Sequence, residues 1–153
     1  MDNDILRTTY RAINERFCPY EKSILTNNCN CRRAKRFCIA EREGVHCDSD
    51  AAQTRCLALL ELLRRHSRFA LRAATDTGSA LPHAKAMRVQ VGGLRGLHAL
   101  LHPDEPVPAK VPDIDGIVEA AIARYGELDS IPMQPVIQQI AAYQGRRRPR
   151  RPR

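Results

Sequence analysis

Apolar positions recur at three- and four-residue intervals over most of this chain, the mark of helices that bury one face. Over residues 3–17, Ile5, Tyr10, Ala12, Ile13 and Phe17 follow that spacing and predict a first helix that ends at Cys18-Pro19. Pro19 suits a first helical position and opens a second, short helix through Leu25. Thr26-Asn27-Asn28 reads as a turn. Residues 32–42 read as a third short helix, stopped near Gly44. The strongest pattern covers residues 50–72. There Cys56, Leu59, Leu60, Leu63 and Ala70 share a stripe, behind good caps at Asp48, Ser49 and Asp50. Residues 75–79 are a polar linker containing Gly78.

The second half continues in the same way. A helix over 82–102 aligns Met87, Val91, Leu94, Leu97 and Leu101, with a bend permitted at Gly92-Gly93. The alternation of Met87, Val89 and Val91 also permits a short strand, the less favoured reading. Residues 104–113 hold three prolines and predict an extended connection. Asp113 or Asp115 then caps a helix to Tyr125, stopped by Gly126, and Pro132 or Pro135 opens a last one carrying Val136, Ile137 and Ile140. The expected fold class is all-α, with about five to seven helices in a small domain. The expected organisation is one helical domain over 1–145, Cys-rich over about 17–56 and a helical scaffold over about 50–145, then a disordered basic tail at 146–153.

Composition changes this picture in two places. Apolar residues make up 43% of the 153, yet aromatics only 5% and Trp is absent, so the core must be aliphatic. No apolar run approaches the roughly 18–20 residues that span a bilayer. The acidic start, MDNDILRTTY, does not read as a secretory leader, so the expected location is cytoplasmic. The net charge of +8 is lopsided, because Arg146, Arg147, Arg148, Arg150, Arg151 and Arg153 supply six of those charges. An Arg-Pro tail stays solvated and suits nucleic-acid phosphates or an acidic protein partner; a merely solubilising terminus is the bland alternative.

The candidate chemistry lies in six cysteines confined to one third of the chain: Cys18, Cys29, Cys31, Cys38, Cys47 and Cys56. Without a leader, and in a chain long enough to fold unstapled, a disulfide framework is the weaker reading. Thiolates are soft ligands for zinc and iron–sulfur clusters. Structural zinc prefers paired C-x2–4-C knuckles, and the only close pair here is C-x-C. Singly placed thiols fit a [4Fe–4S] or [2Fe–2S] cage better, with zinc as the alternative cofactor. Cys29, Cys31 and Cys38 are the firmest expected ligands, Cys18 or Cys47 the fourth, and Cys56 lies between ligand and core filler. Arg32, Arg33, Lys35 and Arg36 would offset a cluster's negative charge or form a solvated face. His46 reads as a surface residue, and Cys29–Cys31 is a minor candidate for thiol exchange.

Other constellations are weaker. Gly92, Gly93 and Gly96 resemble a phosphate-cradling or GxxG loop only loosely, and close helix packing explains them better. His98 and His102 share a helical face without a ligand set around them. The expected function is a cysteine-ligated, metal-binding accessory protein rather than an enzyme. It would carry an iron–sulfur cluster and act in electron transfer, redox sensing or cluster assembly. The alternative is a zinc-stabilised nucleic-acid-binding or adaptor protein that uses the Arg tail.

Overall fold

The computed structural model describes residues 16–74 and 82–144. The expected helix over 3–17, the linker at 75–79 and the tail at 146–153 therefore lie almost wholly outside the described residues. The described residues start with α1 (Glu21–Leu25), then a hairpin of β1 (Ala34–Ile39) and β2 (Arg42–Cys47), then the long α2 (Asp50–Ala74). α3 (Pro82–Met87) continues through a π-helical turn (Arg88–Gly92) into α4 (Gly93–Leu101). α5 (Ile114–Tyr125), a 3-10 turn (Leu128–Ser130) and α6 (Met133–Ala142) complete it.

The helices form because their apolar stripes meet one another. Leu59 and Leu63 of α2, Leu94 and Leu97 of α4, Val118 of α5, and Val136 and Ile140 of α6 are buried together. α2 and α4 both pack on α6. The three glycines of the central segment permit this approach. A Cβ on Gly92 would lie 2.8 Å from the Ile140 Cα, and one on Gly96 would lie 2.9 Å from the Val136 Cα. The glycine cluster is therefore a helix-packing device. Val89, Gln90, Val91 and Gly92 are all buried, so the alternation near Met87 marks a helical segment enclosed on most sides, not a strand face. Ser23 Oγ donates to Gln90 Oε1 at 2.6 Å and ties α1 to that turn. Gly126, at φ +88°, ends α5 where the sequence places its stop.

The all-α expectation is corrected: the fold is mostly helical with a small two-stranded antiparallel sheet. Residues 32–42 do not form a helix. Ala34 to Ile39 pair with Cys47 back to Arg42 across a two-residue turn. Ala40 and Glu41 hold φ of +48° and +71° there, positions usually taken by Asn or Gly, so the turn carried no sequence signal. A helix over 32–42 would have had charges on every face and no stripe to bury. As a hairpin, the segment buries Val45 and Cys47 and is tied to the residues just before α1. The Cys18 amide donates to the Val45 carbonyl at 2.9 Å, the Cys47 amide to the Arg16 carbonyl at 2.8 Å, and Glu21 Oε1 accepts from the Val45 amide at 2.7 Å.

Candidate metal centre

Four of the six thiols meet at one pocket. Cys18, Cys31, Cys47 and Cys56 line it, together with Pro19, Tyr20 and Ile114. Each comes from a different segment. Cys18 follows Phe17, which bridges His46, and its own amide is tied to β2. Cys31 lies in the loop between α1 and β1. That loop docks on the proline-rich connection: Asn30 donates to Val111 at 2.8 Å, and Ile114 donates to Asn30 at 3.0 Å. Cys47 is the last residue of β2, and its thiol donates to the Ser49 carbonyl at 3.3 Å. Cys56 lies in the second turn of α2, one turn before Leu59 and Leu60.

Burial raises three of these four thiols. Burial pushes the Cys18 thiol up to about 12, against a hydrogen bond from the Tyr20 amide that favours the thiolate, and Cys31 and Cys47 add to the rise. Burial also raises Cys31, opposed by hydrogen bonds from the Arg33 and Asp115 amides. Cys56 is pushed well up, first by burial and then by Cys18, Cys31 and Cys47. Without a cation nearby, Cys18, Cys31 and Cys56 stay protonated at neutral pH. Backbone donors nevertheless already point at two of them, as they do around ligated thiolates. The enclosed space is about 10 Å³, room for about one water. Among the described residues, no group of three or more His, Cys, Asp or Glu side chains is drawn together as the ligands of a metal ion. The four thiols surround a common pocket without closing on one point.

The other two cysteines stand apart. Cys29 is fully buried but pairs with Val111 on the far side of its loop, and burial pushes it up to about 12, against the pull of Lys110. Cys38 is exposed on β1, opposite Glu43. All six are free thiols. His46 faces Lys35 across the hairpin. His98 and His102 lie with ring centroids 4.9 Å apart, remote in sequence from the thiols.

The basic stretch at 32–36 is largely engaged. Arg32, Arg33 and Arg55 converge on Asp115, whose side chain is 1% exposed, at 2.9, 3.4 and 3.2 Å. Arg32 and Arg55 also reach Glu119, and Arg36 Nη2 donates to the Ile24 carbonyl. Burial would raise the Asp115 carboxyl, but hydrogen bonds from Arg32, Arg55 and Arg33 outweigh it and hold the group below the usual carboxylate range. Asp115 had no signal in the sequence as a site residue, because its role depends on three arginines brought in from elsewhere in the chain.

No family model, no curated protein and no solved structure matches this chain. Among the described residues, no helix is long and apolar enough to cross a membrane.

Proposed function

We propose that Cys18, Cys31, Cys47 and Cys56 are the ligands of a metal centre, an iron–sulfur cluster. The protein would then be an accessory protein of electron transfer, redox sensing or cluster assembly. The supporting observation is the convergence of four singly placed thiols, from four separate segments, on one buried pocket. Their separations in sequence, 12, 15 and 8 intervening residues, contain no zinc knuckle. A cluster cage needs four thiolates but no such pairs. Each thiol would release its proton to solvent on ligation, so binding would strengthen as pH rises. The small enclosed space supports zinc as the second reading, with the chain as a zinc-stabilised adaptor. In either case the arginines at 146–153 are proposed as the attachment to nucleic acid or an acidic protein.

The test is metal and acid-labile sulfide analysis of protein purified without oxygen, with each cysteine changed to serine in turn. Iron and sulfide that disappear in C18S, C31S, C47S and C56S but persist in C29S and C38S would bear the proposal out. One equivalent of zinc with the same variant pattern would replace the cluster by zinc. Full-length protein without metal, its thiols intact, would overturn both readings.

A further inference from the structure

A second site lies away from the thiols. Leu25 at the end of α1, His83, Met87 and Arg88 on the α3 and π-helical segment, Arg95 on α4 and Tyr143 after α6 line a cleft of about 980 Å³. That is the size of a small-molecule site. It shares no lining residue with the thiol pocket.

The cleft combines an apolar wall with unneutralised cations. Leu25, Met87 and Tyr143 form the wall, and no Asp or Glu is among the described lining residues. Arg88 and Arg95 make no ion pair with any described residue, in contrast to Arg32, Arg33 and Arg55. The Arg95 Nε is out of water and has no hydrogen-bond acceptor. A guanidinium donor kept from water without a partner costs free energy, and an anion's oxygen would recover it. Burial pushes the Tyr143 phenol up while Arg95 pulls the other way, so the ring and the guanidinium lie within electrostatic reach. The cleft therefore presents two arginines and an apolar lining to the same occupant.

We infer that this cleft binds a small organic anion, seating its acid group on Arg95 and Arg88 and its apolar body against Leu25, Met87 and Tyr143. Carboxylates and phosphate esters share this chemistry. The two arginines neutralise the charge, and the wall selects against small hydrated ions.

The probe is anilinonaphthalene sulfonate, an anion with a flat apolar body, titrated by fluorescence against the full chain. Saturable one-to-one enhancement is expected. Arg95→Gln and Arg88→Gln should each weaken it about tenfold, as expected for loss of a charge-assisted contact of about 1.4 kcal/mol. Ala109→Trp, which places a ring at the exposed mouth without touching either charge, should block it. Stronger displacement by naphthoate than by naphthyl phosphate would assign a carboxylate, and the reverse order a phosphate ester. If Arg95→Gln does not fold, Arg88→Gln and Ala109→Trp decide. Enhancement that is not saturable, or that survives both of these variants in folded protein, would overturn the inference. The Cys56→Ser variant should bind the probe normally if it keeps its fold, which separates this result from the fate of the metal proposal.

Discussion

Arg32 reaches Asp115 over 83 residues of sequence, Nη2 to Oδ2 at 2.9 Å, and the carboxylate it holds is buried beside the thiol pocket. The Arg32 backbone amide also donates to Asp113 Oδ1, at 3.0 Å. The start of α5 is thus fastened to the loop that carries Cys31, and the Asp115 amide there opposes the rise that burial causes at that thiol.

This fastening predicts a pH dependence. The folded Asp115 carboxyl is held below its unfolded value of about 3.9. Its contribution to stability is therefore full above about pH 4 and lost as pH falls through the folded value. Asp115→Asn should destabilise the protein by about 1–3 kcal/mol at neutral pH. The lower part of that range is favoured because the arginine partners are 31–48% exposed and solvent screens them. Urea melts of the parent and the variant at pH 7 and pH 3 test this. The gap between the two should narrow at pH 3, and an unchanged gap would refute the assignment.

The thiols should differ in reactivity once any metal has been removed. Cys38 is exposed and should alkylate first with iodoacetamide at neutral pH. Cys18 and Cys29, pushed up to about 12, and Cys56, pushed higher by burial and its sulfur neighbours, hold almost no thiolate and should react only after unfolding. Peptide mass mapping over time reads the order. Early labelling of Cys56 would mean that the pocket is open in solution.

The glycine contacts predict graded costs. At Gly92 and Gly96 an added methyl would meet backbone of α6, at 2.8 and 2.9 Å, and backbone cannot move without shifting the helix. Alanine there should cost about 1–3 kcal/mol. At Gly93 the nearest atom is the Leu63 Cδ1, at 2.6 Å, the end of a side chain with other rotamers. Gly93→Ala should therefore cost less than either neighbour. Equilibrium denaturation of the three variants checks the ranking.

Much of the helical framework was legible because it depends on local pattern. The stripe of Leu59, Leu60 and Leu63, the stop at Gly126 and the apolar run of α6 each report a face to be buried, whatever buries it. The hairpin was not legible. Its turn, Ala40-Glu41, lacks the residues that favour positive φ, and Lys35, Arg36, Arg42 and Glu43 hide its period-two alternation. Backbone hydrogen bonds to Arg16 and Cys18 hold it in place, and those are long-range contacts.

The same division runs through the candidate site. Composition alone establishes that six thiols crowd one third of the chain, without a zinc knuckle, on a fold whose excess charge lies in its last residues. Their nearness along the chain favoured Cys29, Cys31 and Cys38, yet the folded protein gathers Cys18, Cys31, Cys47 and Cys56. Two long-range geometries make that choice. In the hairpin, Cys47 at the end of β2 is buried while Cys38 on β1 is exposed, and with residues 28–30 docked on Val111, Cys29 is fully buried outside the thiol pocket while Cys31 lines it. Which side of a strand or loop faces the core is set by what packs against it, and spacing between cysteines carries no record of that partner.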